Sequence, residues 1–373
     1  MRNLRLAVLP FGALFLVAAC LTAQEQALAA RSASDVRAYW TAERLAKAAA
    51  LPLLRTDTAR GAADEAAEGS ATTTSAAPVA SPGRPPRPGA HVTAVRLYDP
   101  RDAADAAATA EPSEPREVAA RDVGRELAYF TSSRLVPESA GRTYPYSAVG
   151  KLFLTVPGNG DHSCSASVIN ARIVLTAGHC VHSGNGSASG YYQNWLFVPS
   201  YSQGKAPAGT WAASTAFVTD AWYAGRGVVP NASDFAMLEM IDDDSGQRIG
   251  DVTGFLGFVT LSLFPNHATM LGYPGNFDSG ERMHVVTAGG FKPFQRSTVL
   301  YGSDMAGGSS GGPWVENFGL PASGQSVASN LIVGVTSFAP RDTSFKYLGS
   351  STPDKVFTNL FAAICGHQSG NCQ

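Results

Sequence analysis

The chain has 373 residues, room for two domains, and 45% of them are apolar, enough to bury a sizeable core. Only 16% are charged and the formal net charge is −2, so there is no basic stripe to bind nucleic acid or an acidic membrane. The surface must lean on Ser, Thr, Asn and Gly instead.

The first 30 residues read as an export signal: Arg2 and Arg5, then the uncharged run "LAVLPFGALFLVAACLTAQ". Pro10 and Gly12 disfavour a retained membrane helix. "VAAC" fits a lipoprotein signal in which Cys20 carries lipid, whereas "LTA" or "ALA" further on fits ordinary signal cleavage, and the residues leave both open. Either way Cys20 leaves the count. The four remaining cysteines, Cys164, Cys180, Cys365 and Cys372, read as two disulfides in an exported chain. A zinc site would have to recruit His179 or His182 beside Cys180, and no C-x-x-C pair supports it. No metal or cofactor is expected.

Residues 31–140 read as a prosegment or flexible linker. "SASDVRAYWTAERLAKAAALPLL" predicts one or two short helices between Ser34 and Leu51, ended by Pro52. "GAADEAAEGSATTTSAAPVASPGRPPRPG" carries few large apolar residues, too few to offset the entropy of ordering it.

From residue 141 onward short runs rich in Val, Ile, Phe and Thr recur between Gly, Pro, Asn and Ser clusters: "AVGKLFLTV", "RIVLTA", "DFAMLEM", "ATMLGY", "HVVTAGG", "SNLIVGVTSFA". That alternation predicts an all-β domain over residues 141–373, sized for two small barrels side by side. One segment departs from it. In "STPDKVFTNLFAAICG", Thr352 can cap, Pro353 suits the first helical position, and Val356, Phe357, Leu360, Phe361 and Ile364 share a face, with Gly366 as the stop. This is a C-terminal helix docking on the β-body.

Three separated pieces remain: "LTAGHC" (residues 175–180), "SDFAMLEM" (233–240) and "GGSSGGP" (307–313). Singly, they read as a satisfied loop histidine, a strand-edge charge and a mobile loop. Together, in this order, they resemble the chymotrypsin-like, trypsin-fold serine proteases, whose patterns are "TAAHC", "D-x-A-L-L" and "G-D-S-G-G-P". The resemblance covers residues 140–373 and lies nearest to secreted bacterial trypsin-like and glutamyl-endopeptidase-like members, which "LGYPG" (271–275) also resembles. It implies two packed six-stranded antiparallel β-barrels and a secreted, monomeric endopeptidase acting on polypeptides.

The resemblance also assigns roles. Ser310 would be the nucleophile, because it immediately precedes Gly-Gly-Pro. His179 would be the base, and Asp234 would fix its tautomer. The N–H groups of Gly308 and Ser310 would form the oxyanion hole. The glycines around the serine pair allow that strained loop and keep side chains out of the way. Cys164 would pair with Cys180 to pin the histidine loop, and Cys365 with Cys372. "GVTSFA" (334–339) resembles the family's "G-x-x-S-W-G". Ser337 would support the aspartate, and Ser337, Phe338 and Ala339 would pair with substrate as an antiparallel strand. Asp304, six residues before Ser310, stands where trypsin has the acid that binds Lys or Arg. Met305 beside it and Ala339 would narrow the pocket, and Thr336 replaces the histidine of the glutamate-specific branch.

Asp220 is the rival triad acid, but "TDAW" lacks the strand context of "SDFAML". Ser309 stands where animal enzymes have an aspartate that receives a new amino terminus, so activation by that ion pair is excluded. The competing class is a catalytically weak, protease-like binding or surface protein, which the intact Ser310, His179, Asp234 and Gly308 disfavour.

Overall fold

A computed structural model describes residues 32–57, 79–100, 128–260, 266–294, 298–320 and 328–373. The export signal and Cys20 lie outside them. Among the described residues no helix is long and apolar enough to cross a membrane.

The body is two closed six-stranded antiparallel barrels. The first is built from Val149–Val156, Gly160–Val168, Ile173–Thr176, Gln193–Pro199, Trp211–Val218 and Ala236–Met240, with Gly160–Val168 pairing Ile173–Thr176 to close the ring. The second comprises His267–Gly272, His284–Phe294, Thr298–Gly302, Pro313–Glu316, Leu331–Pro340 and Tyr347–Ser351, closed by Pro313–Glu316 against Leu331–Pro340. Nearly every residue of Ile173–Thr176, Ala236–Met240, Pro313–Glu316 and Leu331–Pro340 is buried on both faces. This explains why these strands read as continuous apolar runs rather than clean alternation.

The C-terminal helix forms at Lys355–His367, two residues later than the sequence predicts. Asp354 is the cap, accepting from the N–H groups of Val356 and Phe357, and a carboxylate outcompetes the Thr352 hydroxyl there. Gly366 lies inside the last turn rather than after it. Phe357, Leu360 and Ile364 are buried against the body as the spacing predicts and Phe361 is half-buried, but Val356, expected on the same face, is exposed.

The larger surprise lies upstream. Helices Ala33–Tyr39 and Ala42–Lys47 form where expected, capped by Ser32 and Thr41, but they dock on the first barrel. Val36, Trp40 and Leu45 are buried in that barrel's core cluster, and Trp40 Nε1 donates to Asn194 O at 2.6 Å. The run expected to be a linker is docked from residue 79. Ala80–Ser81 pairs Phe258 and Val259, Arg84 exchanges backbone bonds with Phe255, and Val95–Arg96 pairs Lys205–Ala206. Strand addition needs only backbone groups, so an Ala/Pro/Ser composition does not prevent it. Finally, Phe130–Arg134 adds to His284–Phe294, so the second barrel recruits residues before 141.

Candidate active site

The register of the first barrel assembles the site. Ala236 pairs Thr176, and each strand then ends in a loop, one carrying His179 and the other preceded by Asp234. The Cys164–Cys180 disulfide ties the histidine turn to the neighbouring strand, and Cys365–Cys372 clips the chain end to the terminal helix. Since the sulfur of Cys180 is bonded to Cys164, the zinc alternative falls.

Asp234 is fully buried and its carboxylate is saturated. Oδ1 accepts the backbone N–H of His179 at 2.9 Å, while Oδ2 lies 2.8 Å from His179 Nδ1 and accepts the Ser337 hydroxyl at 2.6 Å. With Nδ1–H donating to this carboxylate, the opposite nitrogen Nε2 is left free to accept a proton. Asp220 is exposed at the start of a four-residue helical turn, far from such a role.

The serine loop crosses from the second barrel to the first. Ser310 O accepts the N–H of Ser165, and Gly308 O accepts the Ser165 hydroxyl, both at 2.8 Å. Gly308 has φ +90° and Gly311 φ +77°, and a Cβ on Gly311 would lie 2.0 Å from Thr176 Oγ1. Only glycine fits both the dihedral and the space. Ser309 turns its hydroxyl into its own loop, donating to Ala306 O at 2.7 Å. Ser310 Oγ and His179 Nε2 make no hydrogen bond with other described groups and are both buried. They are the two unpaired polar atoms that a nucleophile and its base would bring together.

Residues 140–240 match the family model described as Trypsin. The chain is similar there to the trypsin-like serine proteases. Over 176 residues the chain is 26% identical to a glutamyl endopeptidase of Bacillus licheniformis, covering 46% of itself and 50% of that protein. It therefore spans about half the length of this curated relative. Among solved structures it resembles protease Anisep from Arthrobacter nicotinovorans at 26% identity and a TM-score of 0.50, covering 59% of this chain and 96% of that one. A thermostable serine protease, AL20, from an extremophilic microorganism gives 25% identity and a TM-score of 0.50, with 60% and 98% covered.

The residues that the resemblance assigns to specificity sit on the second barrel. Asp304 accepts the Ser132 hydroxyl at 2.7 Å, and Ser132 in turn lies 2.7 Å from His284 Nε2. Since the serine proton goes to Asp304, Nε2 of His284 is the donor of the second bond. Met305 and Ala339 are buried in one apolar cluster, and Phe338 is buried in another. Thr336 accepts the indole N–H of Trp314 at 2.9 Å.

Three supporting residues escaped the sequence reading. Ser351 accepts the N–H of Asp234 at 3.2 Å and donates to Asn231 O. Trp222, two residues after Asp220, packs edge-on to the His179 ring and donates to His182 O at 2.7 Å. Ser132 lies in the stretch taken for linker. Of these only Trp222 carried a signal, a large aromatic beside a candidate acid.

Proposed function

We propose that this chain is an exported serine endopeptidase. Ser310 attacks the scissile carbonyl, passing its proton to His179 Nε2, while Asp234 stabilises the imidazolium that forms. The negative oxygen of the tetrahedral intermediate sits between the N–H groups of Gly308 and Ser310. Collapse releases the amine with the proton from His179, and water repeats the sequence to hydrolyse the acyl-enzyme. Ser337 to Ala339 present the strand edge that aligns a polypeptide antiparallel, with Asp304 near the base of the pocket. Two disulfides support an oxidising, extracellular destination, either free or through a lipid on Cys20. The protease acts as a monomer and needs no cofactor.

The observation that carries this reading is the double grip of Asp234 on His179, through the backbone N–H and Nδ1 together. A bystander histidine has no need of so defined a tautomer. A fluorophosphonate probe tests it. Labelling mapped to Ser310 is expected, followed by cleavage of a peptide library that reports the residue accepted before the cut. Labelling on Ser309, or none on the protein freed of residues 32–100, would refute it.

A further inference from the structure

The substrate cleft of this structure is occupied by the chain's own N-terminal segment. Ala49–Ala50 pairs in parallel with His162 and Ser163 of the first barrel. Leu51 then donates its N–H to Ser163 O and accepts the Gly308 N–H at 2.9 Å. Past the exposed Pro52, Leu54, Arg55 and Thr56 pair in parallel with Phe338, Ala339 and Pro340 of the second barrel. Leu51 is buried with the first-barrel core, whereas Leu53 is 5% exposed among Met305, Ala339 and the second-barrel core. Eight residues thus bridge the two barrels directly over the serine loop. The approach is close: a Cβ on Gly307 would lie 2.8 Å from Leu51 O.

Polarity decides what this segment can be. On the assignment above, a substrate pairs antiparallel with residues 337–339, so a parallel strand on the same edge runs backwards. The Leu51 carbonyl fills the Gly308 donor, yet the chain around it presents its bonds in the reverse order. Its next residue is Pro52, whose ring nitrogen carries no N–H and fixes the backbone. The segment takes the recognition groups without offering a scissile bond in register. Its hold is reinforced outside the cleft. Trp40 is buried on the first barrel, Tyr39 and Arg44 both reach Asp161, and Arg341 pairs Asp57.

We infer that residues 49–56 are a built-in inhibitor bound in reverse, with Leu51 O on the Gly308 N–H and the Leu53 side chain in the pocket beside Met305 and Ala339. The occupant also reads out the pocket: an aliphatic side chain of leucine size is the one it accepts. This inference rests on the protease reading.

The test inserts a recognition sequence for an unrelated protease between residues 101 and 127 and compares intact with nicked chain across a dilution series. Intact chain should label with fluorophosphonate at least about tenfold more slowly than nicked chain at high dilution, and independently of concentration, because a tethered segment cannot be diluted away. Added peptide of residues 32–57 should slow the nicked form again and be recovered uncut. The same peptide carrying Leu53→Asp should not, since a carboxylate would be buried among apolar side chains. Equal labelling of intact and nicked chain at every dilution, or cleavage of the peptide within 49–56, overturns the inhibitor and leaves the protease reading standing. No labelling of either form at any dilution overturns both.

Discussion

Substituting Asp234→Asn changes one oxygen to an amide and keeps the shape, so its effect can be worked out from hydrogen bonds alone. The carboxylate faces three donors: the His179 N–H, His179 Nδ1–H and the Ser337 hydroxyl. With its NH₂ toward the backbone, the amide would set two buried donors against each other at 2.9 Å, and a peptide N–H cannot change its role. With its NH₂ toward Nδ1, the clash is relieved if the imidazole moves its proton to Nε2, and Ser337 can rotate to accept. The second arrangement wins, and it leaves the histidine with a proton where it should have a lone pair. A triad in that tautomer loses about 10⁴ in turnover, equivalent to about 5 kcal/mol of transition-state stabilisation. The assay is kcat/KM on a peptide from the library digest, using nicked and diluted protein, with near-ultraviolet circular dichroism to show the fold is kept. Asp220→Asn should lose less than about twofold, because that carboxylate is exposed. If Asp234→Asn kept more than a tenth of the activity while Asp220→Asn lost it, the acid of the site would be wrongly assigned.

Ser310→Ala should abolish fluorophosphonate labelling, whereas Ser309→Ala, which forfeits one loop hydrogen bond of about 1 kcal/mol, should keep it; peptide mapping distinguishes them. Gly311→Ala places a Cβ 2.0 Å from Thr176 Oγ1 at a positive φ, so it should lower the thermal midpoint and activity together, while Gly319→Ala, which meets nothing within 4 Å, should spare activity. Replacing Cys164 and Cys180 together with serine should cost about 3 kcal/mol in denaturant unfolding and activity with it, whereas the Cys365/Cys372 pair should cost less and leave turnover near normal. Burial pushes the His284 imidazole below the usual histidine range, and Asp304 only partly opposes this. The folded chain therefore binds fewer protons there than the unfolded one, so stability is full above about pH 6.5 and falls as the pH drops. His284→Asn should flatten the fall in thermal midpoint between about pH 7.5 and 5.5, and an unchanged profile would remove His284 as its source.

The barrels were legible because inward-facing apolar runs and turn residues impose a period that survives without knowledge of the partner strand. The candidate site was legible for a different reason. His179, Asp234 and Ser310 each need a particular loop geometry, so their neighbours are constrained and leave a recognisable local pattern. Ser351 needs none: one hydroxyl on a buried strand looks the same whether it supports Asp234 or nothing. Residues 79–99 were misread because composition reports whether a segment can form its own core. It does not report whether a finished sheet edge will accept its backbone. Leu51 and Leu53 were seen only as the end of a helical stretch, since the groups they pack against belong to barrels that begin nearly 100 positions further along the chain.

The N-terminal region holds the body at two separate places: residues 32–57 on the first barrel and cleft, and residues 79–99 on Phe258, Asp251 and Glu281. A piece cut free between 101 and 127 is therefore a bivalent ligand. When one grip lets go, the other keeps it within reach at an effective concentration of about millimolar, and such avidity raises affinity by about 10² to 10⁴ without a new contact. One cut leaves it seated in concentrated protein, and only high dilution of the nicked chain lets it go. A second cut, between 58 and 78, turns it into two monovalent pieces that leave independently. In undiluted protein the onset of activity then depends on the product of two cleavage probabilities, so it starts with a lag and rises as roughly the square of early protease exposure. Undiluted, the molecule counts to two before it opens.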